Sequence, residues 1–121
     1  MSKIILMRHG QSIWNNLNKF TGLTDVKLTD LGRKDAYLSG LKMKDIIINK
    51  AYTSKLMRAK NTCEIVMTLN KTLKYNWIYE YEELNERDYG DLTGKNKEEI
   101  SKQYGIEQVH KWRRGFNTKP P

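Results

Sequence analysis

Short apolar runs that end at polar residues predict the strands of this chain. Residues 3–8 contain the apolar run Ile4–Met7, which begins with two β-branched isoleucines, and Gly10 follows closely. Such a run is typical of a parallel strand covered on both faces. The stretch 45–54, DIIINKAYTS, predicts a second strand at its Ala51–Thr53 end, although residues 46–48 could instead form a packed connector. Weak alternation over residues 77–83 indicates a third strand.

A helical period of apolar residues follows the first of these strands. Thr29 has the side chain of an N-cap, and the residues after it predict a helix over 30–43. We expect Leu31, Leu38 and Leu41 to lie together on the buried face of that helix.

Three further helices are predicted along the chain. Ser54 is the expected cap of a helix over residues 55–69. The apolar stripe of this helix consists of Leu56, Ala59, Cys63 and Val66. Residues 96–104 predict a short helix that Gly105 ends in a left-handed conformation, and residues 107–114 predict the last one.

The alternation of strands and helices predicts an α/β fold, with a parallel-type central sheet and helices on both faces. We find no repeat or linker, so residues 1–121 are expected to form a single domain. The single Cys63 excludes an internal disulfide and fits a reducing compartment. Apolar runs of four residues are too short for a membrane span, and residues 1–15 lack a signal-peptide pattern, so we expect a cytoplasmic protein.

The formal charge of +8 and the pI near 9.6 favour anionic partners. Nucleic acid, lipid headgroups and small phosphorylated metabolites all fit this charge, and scattered lysines fit compositional drift equally well. No nucleic-acid-binding motif is found in the sequence, which disfavours nucleic acid as the partner.

The tripeptide Arg8-His9-Gly10 stands where the first predicted strand ends. Ligands of parallel sheets bind beyond the carboxyl ends of the strands, and Arg58, after the second strand, is expected at the same edge. A neutral imidazole can act as a nucleophile, an arginine can fork onto phosphate oxygens, and a glycine lets backbone approach a phosphate. Together these residues predict phosphoryl transfer through a phosphohistidine. Taken alone, the tripeptide better fits a histidine at a core edge beside a surface arginine.

Longer motifs decide between these interpretations. In chain order they are RHGQSIWN, FTGLTDVKLTDLG, YTSKLMRAKNT, LNERDYGDLTGKNKEE and YGIEQVHKWRRGF, followed by the closing PP. From residue 3 to the last residue, the chain resembles the cofactor-dependent phosphoglycerate mutases of the histidine phosphatase superfamily. The resemblance implies the histidine phosphatase fold and the interconversion of 3- and 2-phosphoglycerate in glycolysis and gluconeogenesis. It further implies a phosphohistidine primed by 2,3-bisphosphoglycerate, and small phosphorylated three-carbon acids as partners, without nucleic acid or membrane. No metal is expected, because no His, Cys and Asp cluster in the sequence has ligand spacing.

The resemblance also implies roles for individual residues. His9 matches the phosphoryl acceptor, Glu86 matches the carboxylate that gives and takes the substrate proton, and Arg8 and Arg58 match the phosphate pocket. The role of Glu86 calls for partial burial near an anion, which favours a protonated carboxyl. The remaining substrate-binding positions are Gly10, Gln11, Ser12, Asn15, Thr21, Gly22, Arg87, Asp88, Tyr89, Lys97, Arg113 and Arg114.

Several of these residues have simpler interpretations when taken singly. Arg113 and Arg114 could form a solvated helix end, where cations favour the helix dipole. Lys97 could be one of many surface lysines, and Glu86 an exposed loop charge.

Two departures from the family pattern change the expectations. Asp88 stands where many mutases have a histidine. Family members are also longer and supply a later histidine in a His-Gly-Asn context, whereas this chain has only His9 and His110. We therefore expect a C-terminally incomplete domain, either a fragment or a natural truncation. The alternatives are a catalytically silent phosphate-binding remnant and a related bisphosphoglycerate mutase or histidine phosphatase, and a homo-oligomer remains an open option.

Overall fold

Helices and short strands alternate along residues 2–121, the part of the chain that the computed structural model describes. In chain order the elements are α1 (Ile13–Asn16), α2 (Asp30–Met43), β1 (Ala51–Thr53), α3 (Met57–Leu69), β2 (Ile78–Glu80), α4 (Lys97–Tyr104) and α5 (Ile106–Arg114). Single 3-10 turns lie at Tyr75–Trp77, Glu82–Leu84 and Gly90–Leu92. None of the helices in the described range is both long and apolar enough to cross a membrane.

Strands β1 and β2 pair in parallel, with Tyr52 opposite Tyr79. Two parallel strands that follow each other in sequence need a crossover connection, and α3 supplies it. Helix α3 packs against β1, and Thr53 is buried while Tyr52 is exposed. The predicted second strand and the predicted α/β fold are confirmed. The third predicted strand is shorter than expected, because residues 82–84 leave the ladder as a 3-10 turn.

The prediction of a buried strand over residues 3–8 is wrong. No strand is formed there, and the side chains of Ile4 and Leu6 are 86% and 91% exposed. A strand must pair its backbone groups with a neighbour, and the described sheet contains β1 and β2 alone. The chain becomes fixed only beyond this segment, where the Thr29 amide donates to the Gln11 carbonyl at 2.9 Å and Ser12 bridges to Leu28.

Helix α2 begins where the sequence predicts, but it buries a different face. The Thr29 side chain caps it by accepting a hydrogen bond from the Gly32 amide at 3.0 Å. Its buried residues are Gly32, Ala36 and Gly40, whereas the predicted face of Leu31, Leu38 and Leu41 is exposed. The prediction failed because small residues on the buried face allow close contacts, Gly40 with α3 and Gly32 with the Gln11 backbone. An added Cβ on Gly40 would lie 3.2 Å from the Val66 Cα.

Helix α3 starts two residues later than predicted, and Ser54 is not its cap. The Ser54 hydroxyl accepts a bond from the Leu56 amide at 3.3 Å, ahead of the helix. The first helical amide, that of Met57, instead donates to the Asp25 carboxylate at 2.6 Å. A carboxylate distant in sequence thus serves the N-terminal end of α3, which local spacing cannot predict.

The last two helices enclose the main hydrophobic core. Asn96 caps α4 through the Glu98 and Glu99 amides. Gly105 has the predicted positive φ of +90°, but its ψ of 148° is extended rather than left-handed helical, so α5 follows at once. The core cluster consists of Phe20, Tyr89, Leu92, Ile100, Val109 and Trp112. It holds α5 against the segment that carries residues 86–89.

Candidate active site

His9 is half-buried where the apolar N-terminal segment ends, and one of its ring nitrogens is fixed. Its Nδ1 lies 2.6 Å from the Gly10 carbonyl oxygen. A carbonyl can only accept, so Nδ1 carries the proton and Nε2 keeps its lone pair. Burial lowers the pKa of His9, as do the charges of Arg58 and Arg8, against the raising effects of the Gly10 bond and Glu86. The imidazole therefore favours the neutral form that a nucleophile needs.

The backbone beside His9 is held by two elements. The Gly10 amide donates to the Thr62 hydroxyl on α3 at 3.1 Å, and that hydroxyl donates to the Arg58 carbonyl at 2.8 Å. On the other side, Gly10 lies so close to Gly32 that an added Cβ would overlap the Gly32 carbonyl. The glycine was predicted to admit a phosphate, and the structure shows that it admits the first turn of α2. Sequence analysis missed Thr62 and Gly32, although Thr62 follows Arg58 by one helical turn.

Three predicted binding residues after Gly10 hold local structure. Ser12 is fully buried and caps α1, accepting from the Asn15 amide at 3.1 Å. The Asn15 side chain accepts from the Ser12 amide in return, which completes a capping box. The Gln11 side-chain oxygen accepts from the Thr29 hydroxyl at 2.8 Å. A cleft of about 340 Å³ beside this loop is lined by Met7, Arg8, His9, Gly10, Gln11, Asn15, Asp35, Ala36 and Ser39.

Arg58 is buried in the first turn of α3, with 2% of its surface exposed. Its Nη2 donates to the Gly22 carbonyl at 2.7 Å and its Nη1 to the Thr24 carbonyl at 2.8 Å. Burial lowers the pKa of Arg58, and the carboxylates of Glu86 and Asp25 oppose that effect. The predicted pocket residues Thr21 and Gly22 are buried, and Gly22 has a φ of +54° that suits glycine.

Glu86 lies on the surface, so the predicted partial burial is wrong. Its Oε1 accepts a hydrogen bond from the Arg87 amide at 2.9 Å. The segment carrying it leaves the sheet as an open loop after Glu82–Leu84, and nothing in the described chain covers the carboxylate. Even so, its charge raises the pKa values of His9, Arg58 and Lys97. Glu86 therefore lies close enough to His9, Arg58 and Lys97 for its charge to act on them.

Asp88 and Tyr89 follow Glu86, and both make contacts within the protein that stabilise its local structure. The Asp88 carboxylate accepts from the Gly90 amide at 2.8 Å and shapes a turn. Tyr89 is buried with its ring centroid 5.0 Å from that of Phe20, and burial raises the pKa of its hydroxyl.

Cations from three parts of the chain converge around Lys97. Burial lowers the pKa of Lys97, and the charges of Arg113, Arg8 and Arg114 lower it further. The half-buried Lys97 ammonium lies 6.0 Å from the Phe20 ring centroid. These four residues form a positive surface suited to a phosphate or carboxylate. Within residues 2–121, no cluster of three His, Cys, Asp or Glu side chains has the arrangement of a metal site.

Arg87, another predicted binding residue, contacts the backbone at the end of α5. Its Nη1 donates to the Trp112 carbonyl at 2.8 Å and to the Gly115 carbonyl at 3.0 Å. These carbonyls lie at the end of α5, next to the Arg113 and Arg114 pair.

Comparison with known proteins identifies close sequence relatives. The pattern of the histidine phosphatase superfamily (branch 1) matches residues 4–121. A 2,3-bisphosphoglycerate-dependent phosphoglycerate mutase of Buchnera aphidicola subsp. Cinara cedri is 51% identical, over 98% of this chain and 52% of the relative. The protein of the same name from Staphylococcus haemolyticus is 47% identical, over 100% of this chain and 54% of the relative. The chain thus spans about half the length of the curated relatives it matches.

The fold of this chain is also found in solved structures of other proteins. Bacillus stearothermophilus YhfR superposes with a TM-score of 0.73 at 33% identity, over 87% of this chain and 50% of that protein. Phosphoserine phosphatase of Entamoeba histolytica, solved with 3-phosphoglyceric acid, superposes with a TM-score of 0.70 at 24% identity. The latter match covers 92% of this chain and 53% of that protein, and it bears on the fold alone.

Proposed function

The chain belongs to the histidine phosphatase superfamily, and on that premise we propose that it accepts a phosphoryl group on His9 to interconvert 3- and 2-phosphoglycerate. The observation that carries the proposal is the Nδ1 bond to the Gly10 carbonyl, which leaves Nε2 as the nucleophilic atom. The names of the Buchnera and Staphylococcus relatives favour this reaction over a general phosphatase activity. The reaction would belong to glycolysis and gluconeogenesis.

The transfer step follows from the residues around His9. Nε2 attacks phosphorus, the N–P bond forms, and the bond from phosphorus to the donor oxygen breaks. Negative charge gathers on the equatorial phosphoryl oxygens, and the positive charges of Arg8 and buried Arg58 stabilise it. When bound, 2,3-bisphosphoglycerate would supply the first phosphoryl group. The neutral imidazole and the surrounding cations fit such an anionic donor.

The opposite end of the substrate would contact the positive surface around Lys97. Phosphorylated three-carbon acids carry several negative charges, and Lys97, Arg113 and Arg114 offer donors to a carboxylate or second phosphate. Glu86 would exchange a proton with the substrate hydroxyl, since its charge already acts on His9 and Lys97.

Labelling of His9 tests the proposed function. We expect incubation of the chain with 2,3-bisphosphoglycerate to give acid-labile phosphate on His9, located by mass spectrometry. His9→Gln should abolish the label, whereas His110→Gln, at an exposed position of α5, should retain it. A label that persists in His9→Gln would refute the assignment. Binding of 3-phosphoglycerate without any labelling would instead favour a phosphate-binding module.

A further inference from the structure

The end of α5 concentrates both positive charge and backbone acceptors. Lys111, Arg113 and Arg114 all lie in its last turn. The final carbonyls of a helix lack partners within the helix, and here the Trp112 carbonyl is one of them. The Gly115 amide donates back to the Lys111 carbonyl at 2.8 Å. The Arg87 guanidinium reaches both the Trp112 and the Gly115 carbonyls from another segment.

We infer that Arg87 is a positioning residue, whose guanidinium holds the C-terminal end of α5 and thereby orients Arg113 and Arg114 toward the substrate. This inference rests on the proposed function of the site. A cation at a helix C-terminus is favoured by the helix dipole, and a hydrogen bond from a charged donor is stronger than one from a neutral donor. The two hydrogen bonds hold Arg87 at the helix end although Lys111, Arg113 and Arg114 carry the same charge.

The packing of α5 explains why the Arg87 hydrogen bonds would fix the orientation of Arg113 and Arg114. Trp112 is 7% exposed, and its ring centroid lies 5.0 Å from that of Tyr104, so one side of α5 is anchored in the core. Arg87 engages the backbone on both sides of the Arg113–Arg114 pair, at the Trp112 carbonyl before it and at the Gly115 carbonyl after it. The Arg87 amide also donates to the Glu86 carboxylate, so the same residue links the proposed acid/base to the far end of the substrate.

The alternative is a direct contact between Arg87 and the substrate, and amide exchange can separate the two roles. We expect Arg87→Gln to accelerate hydrogen exchange at the amides of residues 113–115, measured by NMR. Arg87→Lys should retain part of the protection, because an ammonium can still donate to both carbonyls. Lys119→Gln is the matched control, since it removes one charge from the same cleft of about 270 Å³ but leaves both Arg87 contacts intact.

Ligand binding supplies the second measurement, by calorimetry. Arg87→Gln should weaken 3-phosphoglycerate binding about tenfold, while inorganic phosphate binding changes by less than about twofold. A general loss of structure would weaken both ligands alike. In an Arg114→Gln background, the effect of Arg87→Gln on 3-phosphoglycerate should fall below about twofold, because the pair it orients is already incomplete.

The outcomes test the inference about Arg87 and the proposed function separately. Unchanged exchange at residues 113–115 in Arg87→Gln would overturn the inference whatever the ligand does. Fully additive losses in the Arg87 and Arg114 double variant would also overturn it, in favour of direct contact. If the wild-type chain does not bind 3-phosphoglycerate, the proposed function fails, and the exchange measurement alone decides whether Arg87 holds α5.

Discussion

Buried Arg58 places a positive charge where neutral carbonyl oxygens accept its hydrogen bonds. Arg87 does the same at the end of α5. Sequence analysis assigned both arginines to the substrate by resemblance. It could not predict these bonds, because the carbonyl acceptors lie 25 to 36 residues away in sequence. The sequence therefore singles out the two arginines as candidates, but it does not reveal the backbone groups that hold them.

Among single residues, His9 should make the free energy of unfolding depend on pH. Burial lowers the pKa of His9 below its ordinary value of 6.5, so the unfolded chain binds the proton more readily. The free energy of unfolding should therefore rise with pH between the lowered pKa and 6.5, and the contribution should be level outside that window. Urea titrations across this range measure it. His9→Gln should lose this component while His110→Gln keeps it, and superimposable profiles of wild type and His9→Gln would contradict the prediction.

Elements were predicted where local signals decide, and mispredicted where distant packing decides. Thr29 and Asn96 cap their helices through adjacent amides, so the starts of α2 and α4 followed from the sequence. The buried face of α2 did not, because it is made of glycine and alanine rather than leucine. The segment 3–8 has the composition of a strand, but a strand also needs a neighbour that the described chain does not provide.

The contact between α2 and the His9 loop predicts the effect of one added methyl group. A Cβ on Gly32 would overlap the Gln11 carbonyl and lie 2.8 Å from the Gln11 amide nitrogen. Alanine normally favours a helix interior over glycine by about 0.5–1 kcal/mol, but both of these atoms belong to backbone that cannot rotate away. We expect Gly32→Ala to lower the free energy of unfolding by about 1–3 kcal/mol.

The exposed α2 substitution Lys34→Ala is the control for that measurement. It should stay within about 0.5 kcal/mol of wild type in the same urea titration. An unchanged or increased stability of Gly32→Ala would show that the His9 loop is not packed as described.

Considered as a whole, the molecule combines a strong positive charge with exposed apolar groups. The charge of +8 opposes association, whereas the exposed Ile4 and Leu6 lie in a segment without regular secondary structure. Unpaired backbone and apolar side chains together favour pairing between copies. The charge follows from the sequence, but the exposure of Ile4 and Leu6 was not predicted, because their apolar run is equally suited to a buried strand.

We therefore expect the purified chain to self-associate as its concentration and the salt concentration rise. Salt screens the repulsion between exposed charges but leaves apolar attraction in place. Light scattering should detect the association, and the double variant Ile4→Lys/Leu6→Lys should reduce it. Leu31→Lys/Leu38→Lys, on the exposed face of α2, is the control and should reduce it much less. Equal reduction by both double variants would attribute the effect to net charge rather than to the N-terminal segment.

Because Arg58 is buried and positively charged, we expect the anion of the buffer to change the stability of the folded chain. An anion that binds near His9 and Arg58 in the folded chain alone would stabilise it by mass action, by about 2.7 kcal/mol at a hundred times its dissociation constant. Samples kept in phosphate and in chloride would then differ in melting temperature and in resistance to proteases. Comparisons between variants of this chain are meaningful only when the buffer anion and its concentration are held constant.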